Sequence, residues 1–380
     1  MNVQQSDGST VTLLVGTRKG AFFLSGSNGS DWKVSGPHFL GAAVNHLVLD
    51  PRDRKTMLMA AHPGHLGPTI YRSADFGQTW KEASAPPAFP KTEDGQGESV
   101  RFTFWLAPGH ESEPGVWYAG CCPPSLFRSE DGGDTWQGVT GFNENPMRKD
   151  WAGIGEPFEI PGGNILHSIQ IDPRDARHMY FGISGGGVFE THDQGETWQP
   201  LNQGIVSYFL PNPTAEYGHD PHALRIHPQD PDLLYLQSHT GIYRMDRKEA
   251  CWVRIGEAMP EEVGDIGFPI VLHPRDPNTA WVFPMDGTEI WPRTSPGGKP
   301  AAYRTSDRGT SWTRQDGGFP REHGYFSVKR QAMVSDRRDP LGLYIGTTSG
   351  QVWASHDEGQ NWVKVADYLP EIFSLDAVAG

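Results

Sequence analysis

Five histidines stand where imidazoles drawn from distant parts of the chain could work together. His167 and His222 hold equivalent places in two related stretches, LHSIQIDPRD and HALRIHPQD. His65, His239 and His323 come from the turn-like stretches AAHPGHLGP, SHTG and FPREHGYF. Imidazoles converging from several segments can ligate a divalent metal ion or serve as acid and base. The metal-ligating candidates are therefore His65, His167, His222, His239 and His323. The catalytic candidates are His167, His222 and His239, with Tyr325 and Glu156, because a Tyr/His pair can act as base and acid in a lyase and a carboxyl can do the same in a hydrolase. Arg18, Arg101 and Arg330 are candidates for holding a substrate carboxylate. Trp151 and Tyr217 are candidates for stacking on a sugar ring. Taken one at a time, each has a plainer reading: a His capping a strand, an Arg in an ion pair, an aromatic packed between loops. No HxH or HExxH spacing is present to set the metal ligands by motif.

Two other stretches carry less. Cys121 and Cys122 fall in GCCPPS, which reads as a loop, so a nucleophilic or metal role is a minor candidate. GISGGG (182–187) is glycine-rich after a strand, but it precedes another strand and not a helix, so it fails as a phosphate cradle.

What would bring those side chains together is a repeat. SADFGQTW, SEDGGDTW, THDQGETW, TSDRGTSW and SHDEGQNW share the pattern Ser/Thr-x-Asp-x-Gly-x-x-Trp. Each follows a short strand-like run such as IYRS, LFRS or VFET. The same spacing finds FFLS leading to Trp32 and IYRM leading to Trp252, so units end at Trp32, Trp80, Trp136, Trp198, Trp252, Trp312 and Trp362. Two further strand-like runs occur per unit, one of the VNHLVLDPRD type and one of the MYFGIS type. Four short strands per unit cannot bury their faces singly, and radial stacking gives a β-propeller. The expected fold is all-β: one domain over residues 1–380, a seven-bladed β-propeller with four-stranded antiparallel blades. The first unit begins at LLVGT without an innermost strand, and IFSLDAVA follows the last unit. The C-terminal strand is thus expected to pair into the N-terminal blade and close the ring.

In such a wheel the box lies between third and fourth strands. Its Asp accepts backbone N–H groups, its Gly takes a positive φ, and its Trp packs between blades. The loops between second and third strands, and those from each fourth strand to the next blade, then lie on the opposite, upper face. All five histidines map there, as do the long stretches 140–164, 207–222 and 284–300. Loops of that length in a packed domain are commonly functional.

The five motifs resemble the Asp-box, or BNR repeat, of sialidases and related propellers, and the chain looks like bacterial sialidase-like glycosyl hydrolase BNR proteins. The resemblance implies that the boxes are structural and that ligands bind on the opposite face. Sialidases combine six blades with an Arg-Ile-Pro signature, an arginine triad and a Tyr/Glu pair. This chain has seven units and no Arg-Ile-Pro, and no motif assigns Arg18, Arg101 and Arg330 to the triad. A sialidase-type glycosidase is thus a secondary expectation.

Composition bounds the remainder. A chain of 380 residues, 21% charged and 36% hydrophobic, with 46 Gly, 32 Pro, 13 Trp and 11 Tyr, is globular and turn-rich. A formal net charge of −14 argues against nucleic acid or an anionic membrane as partner. Three cysteines, two of them adjacent, argue against a disulfide framework; with no basic and apolar leader at the start, the expected location is cytoplasmic. The expected function is an enzyme, hydrolase or lyase, acting on a small polar or carbohydrate-like substrate in a His-rich funnel, with a divalent metal ion as the candidate cofactor. The alternative is a non-catalytic binding or assembly scaffold.

Overall fold

Short runs of β-branched, aromatic and other apolar residues, closed off by Gly, Pro and Asp, form 28 strands in the computed structural model, which describes residues 10–27, 31–91, 97–152, 164–287 and 293–379. They are β1 (Val11–Thr17), β2 (Gly20–Gly26), β3 (Lys33–His38), β4 (Ala43–Leu49), β5 (Met57–His62), β6 (Thr69–Ser73), β7 (Lys81–Glu82), β8 (Phe102–Pro108), β9 (Trp117–Cys122), β10 (Ser125–Ser129), β11 (Gln137–Gly138), β12 (Leu166–Asp172), β13 (Asp175–Ile183) and β14 (Gly187–Thr191). The second half of the chain continues with β15 (Gln199–Pro200), β16 (Pro221–Ile226), β17 (Leu233–Ser238), β18 (Gly241–Asp246), β19 (Cys251–Arg254), β20 (Gly267–Leu272), β21 (Ala280–Pro284), β22 (Ala302–Thr305), β23 (Thr313–Gln315), β24 (Val328–Ser335), β25 (Leu343–Thr347), β26 (Val352–Ser355), β27 (Val363–Ala366) and β28 (Ile372–Ala379). Two single-turn helices, α1 (Thr140–Asn143) and α2 (Arg148–Trp151), lie among them.

Five sheets have four strands each, in the orders β4-β5-β6-β7, β11-β10-β9-β8, β12-β13-β14-β15, β16-β17-β18-β19 and β20-β21-β22-β23. An eight-stranded sheet runs β27-β26-β25-β24-β28-β1-β2-β3. Its two halves meet through the parallel pair Gln331 with Ser374, and each half is otherwise antiparallel. The C-terminal strand β28 does pair into the N-terminal sheet: it runs antiparallel to β1, from Val11 opposite Ala379 to Thr17 opposite Ile372. The chain divides into two compact units, Met1–Leu47 with Ile255–Gly380, and Val48–Arg254.

Several second strands are buried end to end. LLYLQS of β17 and AWVFP of β21 show no exposed residue, which is why they read as continuous apolar runs and not as alternating ones. The outer strands β7, β11 and β15 are two residues long, and short edges offer little to a foreign strand.

The five boxes have one construction. In each, the Ser or Thr hydroxyl donates to the Asp and accepts the Gly N–H, while the Asp accepts the N–H and side chain of the residue before the Trp; for Asp75 these bonds are 2.7 Å from Ser73 and 2.8 and 2.6 Å from Thr79. The same bonds surround Asp131, Asp193, Asp307 and Asp357. The residue between Asp and Gly is left-handed as well, at Phe76, Gly132, Gln194, Arg308 and Glu358, a requirement that its varied identity conceals. At two boxes the Trp backbone N–H reaches the stretch after the preceding sheet, Trp136 to Ala85 and Trp362 to Gly317, and Trp252, outside the five boxes, does the same to Gln203. The rings fill the seams, Trp136 with Leu58 and Trp117, and Trp198 with Phe181 and Tyr118.

Cys121 and Cys122 differ from expectation. They lie in β9, fully buried, and not in a loop. Burial pushes the Cys121 thiol up to about 12, which removes it as a nucleophile.

Two outcomes follow. Gly318 has a φ of +92°, and a Cβ there would sit 1.9 Å from the Trp362 carbonyl oxygen. Gly318→Ala is expected to cost about 3 kcal/mol, whereas Gly41→Ala, at φ +94° with nothing within 4 Å, costs only about 1 kcal/mol of backbone strain; urea unfolding of both variants measures the difference. Partial burial opposes ionisation of Asp131, but bonds from Thr135, Ser129 and Asp134 outweigh it and hold the carboxyl at about 2. A depressed carboxyl contributes stability above its unfolded pKa of about 3.9 and loses it as pH falls through the folded value. The gap in urea midpoint between the native chain and Asp131→Ala should be constant from pH 8 down to about 4 and narrow below.

Candidate functional site

The first strand of a sheet does not run true to its end. Register shifts interrupt β8 at Thr103/Trp105, β12 at His167/Gln170, β16 at Pro221/Ala223, β20 at Gly267/Ile270 and β24 at Val328/Met333. Bulges of this kind re-aim side chains at the end of a strand. His167 is the second residue of β12 and His222 the second of β16, so the equivalence read from the sequence holds, and both sit at these irregularities.

His222 belongs to a cluster. Asp220, His222 and His239 each offer a donor atom within 4.8 Å of the other two. His222 Nε2 is 3.4 Å and His239 Nδ1 3.6 Å from Asp220 Oδ2. The two imidazole rings stand perpendicular, 5.6 Å apart. Asp220 and His222 are two residues apart at the start of a strand and so share a face; His239 arrives from the tight turn between β17 and β18. That turn is fixed by its own bonds to the Asp220 carbonyl, 2.9 Å from the His239 N–H and 3.0 Å from the Ser238 hydroxyl. The His222 side chain is 3% exposed and that of His239 28%, so the cluster opens on the His239 side.

Against that opening stand two aromatic rings. Tyr208 and Phe209 are 68% and 44% exposed and meet edge to face, and Phe209 stands edge-on to His239 at 5.6 Å. The long stretch that carries them is held from within. Buried His219 accepts the Ser207 hydroxyl at Nδ1 and donates from Nε2 to the Ala215 carbonyl, and burial lowers its pKa against that last bond. Asn202 ties the same stretch down through the Glu216 carbonyl.

His167 plays another part. Its Nε2 donates to the Pro221 carbonyl at 3.0 Å and its Nδ1 accepts from Ser168 Oγ at 2.8 Å, while Ser168, at φ +54°, accepts the Leu224 N–H. Both ring nitrogens are engaged, and the ring clamps β12 to β16 directly behind His222. It positions the cluster and is no ligand in it.

The remaining candidates do not join. His65 is exposed in a single 3-10 turn. His323, whose side chain is 84% exposed, and Tyr325, 63% exposed, lie in the other unit with Arg18 and Arg330. Arg18 pairs with Glu371 at 3.2 Å, and Arg330 lies over the Phe268 ring at 4.9 Å. Arg101 is exposed before β8. Trp151 is 7% exposed and packs on Phe189, so its ring belongs to the core, and Tyr217 is half-buried against the same cluster. Glu156 lies outside the described residues. Tyr208, Phe209 and Asp220 all fall in the long stretch 207–222 that the sequence marks as an upper-face loop. The signal for Asp220 was the Asp-x-His spacing at the mouth of a strand.

A second group, at the box end of the β12–β15 sheet, went unread. His178 donates from Nδ1 to Asp172 at 3.0 Å and from Nε2 to Glu190 at 2.8 Å, and its ring stacks on His192 at 4.3 Å. Arg174 joins Asp172, and Arg247 joins Glu190. Burial opposes the charge on His178, but the two carboxylates prevail and raise its pKa. Both ring nitrogens thus face carboxylates within a salt network. The recess lined by Ser306, Thr313, Arg314, Asp316 and Gln360 also lies beside boxes and holds none of the candidate residues.

Known proteins bear on this arrangement in two ways. The BNR-Asp box repeat family matches residues 70–83, the first of the five full boxes. The chain carries the BNR-Asp box repeat. Among curated proteins it is similar to a xyloglucanase of Paenibacillus sp (23% identical over 250 residues), to Xyloglucanase Xgh74A of Acetivibrio thermocellus (23% over 251) and to an oligoxyloglucan-reducing end-specific xyloglucanase of Emericella nidulans (25% over 213). These alignments take in 64%, 63% and 55% of this chain but only 18%, 22% and 25% of the relatives, so the Asp-box chain spans about a quarter of their length or less. In fold it is similar to the GH74 xyloglucanase of Xanthomonas campestris, with a TM-score of 0.61 at 16% identity over 94% of this chain and 52% of that one. It is also similar to a GH74 enzyme of Niastella koreensis, with a TM-score of 0.54 at 14% identity over 97% and 66%. Among the described residues no helix is long and apolar enough to cross a membrane.

The salt network predicts a pH dependence. A raised histidine pKa contributes stability that is complete below the unfolded value of about 6.5 and lost as pH rises through the folded value. The lead of the native chain over His178→Gln in urea midpoint should therefore be greatest below about pH 6.5 and shrink on going to alkaline pH.

Proposed function

We propose that the chain is a glycoside hydrolase-like enzyme acting on a carbohydrate, with Asp220, His222 and His239 as its polar centre and Tyr208 and Phe209 as its sugar platform. The observation that carries this is the juxtaposition of two exposed aromatic rings with a largely buried carboxylate–imidazole cluster whose most exposed member, His239, contacts Phe209. Sugars present apolar C–H faces rimmed by hydroxyls. A flat ring beside hydrogen-bonding groups matches that surface, and few other ligands need both. Similarity to xyloglucanases supports the same substrate class, with a β-glucan backbone as the first substrate to test.

In this reading the seven four-stranded groups are the blades of one propeller spanning residues 1–380, and the irregular ends of the first strands line its functional face. His239 does the chemistry at the sugar. Its Nδ1 faces Asp220, which holds the ring toward the opening. The neutral ring accepts a proton from a water as the water oxygen bonds to the anomeric carbon. The bond from that carbon to the leaving oxygen breaks, and the leaving oxygen takes up a proton from solvent. His222, buried behind Asp220, and His167, bonded to the Pro221 carbonyl, keep the carboxylate in register.

Reducing-end release from xyloglucan, other β-glucans and uronides tests the reading. Turnover of one of these is expected, with kcat about 100-fold lower in His239→Ala and KM about tenfold higher in Phe209→Ala and Tyr208→Ala at unchanged kcat. Absence of both turnover and binding across the panel would remove it.

A further inference from the structure

Two distances in the Asp220 cluster suit donors that share an ion, and all three donor atoms lie within 4.8 Å of one another. An ordinary N–H···O bond spans about 2.7–3.2 Å. His222 Nε2 and His239 Nδ1 are 3.4 and 3.6 Å from the same carboxylate oxygen. Donors about 2.0–2.1 Å from a tetrahedral zinc ion lie about 3.3–3.4 Å from one another. An octahedral set at similar bond lengths would draw them to about 3.0 Å. Two imidazoles and one carboxylate are a donor set suited to zinc.

We propose that Asp220 Oδ2, His222 Nε2 and His239 Nδ1 bind one zinc-class divalent cation, with the fourth position open on the Phe209 side. Burial supports it. Two ligands come from a nearly closed interior, and His239, the most exposed of the three, borders the opening, so three protein ligands and one exchangeable water satisfy the ion. Outer contacts support it as well, because the groups that orient the ligands are themselves fixed. The Asp220 carbonyl accepts two bonds from the turn that carries His239, and His167 grips the carbonyl of Pro221, between Asp220 and His222. Such partners hold ligands in aim before the ion arrives.

The contrast with the group at His178 is chemical. There both His178 nitrogens already face carboxylates, and Arg247 sits on Glu190, so the carboxylate charge is met without an ion. His65 and His323, taken from the sequence as ligands, are exposed and join neither group. Asp220, which the sequence reading left out of the ligand set, is the residue both imidazoles face.

This rests on the same three residues as the proposed hydrolase but depends neither on its substrate nor on which group activates its water. Untagged full-length protein, stripped with chelator, is titrated with Zn(II) by calorimetry and with Co(II) by visible absorption, in the absence of sugar. About one Zn(II) per chain and the intense visible bands of four-coordinate Co(II) are expected. His239→Ala and Asp220→Asn, with folding checked by circular dichroism, should weaken binding by about 100-fold or more, and His192→Ala and His65→Ala should leave it unchanged. No stoichiometric Zn(II) binding by the native chain would overturn the proposal. So would binding that survives in His239→Ala and is lost in His192→Ala, or binding of Ca(II) or Fe(II) with none of Zn(II). Zinc bound in a chain that cleaves no glycoside would sink the substrate reading and leave the metal site standing.

Discussion

The construction on which the architecture leans is the box turn, whose Trp ring packs into the seam and whose N–H, at Trp136 and Trp362, donates to the stretch that follows the last strand of the preceding sheet. Antiparallel pairing satisfies the backbone within a sheet, but nothing in pairing says where the next sheet must lie. The box supplies that instruction. Its Asp and Ser or Thr gather the turn into two successive left-handed residues, the turn presents the Trp, and the Trp places both a donor and a large apolar ring in the seam. One short polar motif thereby fixes the orientation of a sheet relative to its predecessor. This explains why the motif is kept while the strands around it vary so freely.

The division of labour along each sheet follows. The box end is occupied by stabilising contacts: Asp–Arg pairs such as Asp50 with Arg52 and Asp172 with Arg174, and guanidinium groups over rings, as with Arg128 over Tyr118 and Arg304 over Trp281. Charge there is neutralised locally. The opposite ends of the first strands are bulged, and His167, Asp220 and His222 lie buried there with His239 beside them.

How much of this could be read from the residues differs with the physics involved. The repeat, the strand order within a unit and the partnership of first and last strands were legible because each is a matter of local period and of one missing strand. The equivalence of His167 and His222 was legible for the same reason. Their different roles were not. One residue of register at a bulge decides whether an imidazole faces a carbonyl or a carboxylate, and no pattern in the sequence marks that shift. Trp151 misled because a large aromatic in a long polar stretch looks like a ligand platform, while α2 turns it inward onto Phe189. Cys121 and Cys122 misled because a following Pro-Pro suggested a loop where β9 was still running.

The pairing of β1 with β28 has a mechanical side. Val11 lies opposite Ala379, so whatever precedes the first strand and whatever follows the last emerge side by side. Tension applied through those two ends would load the ladder one rung at a time, like a zipper pulled from its open end, and not all rungs together. In that one direction the clasp is easily peeled.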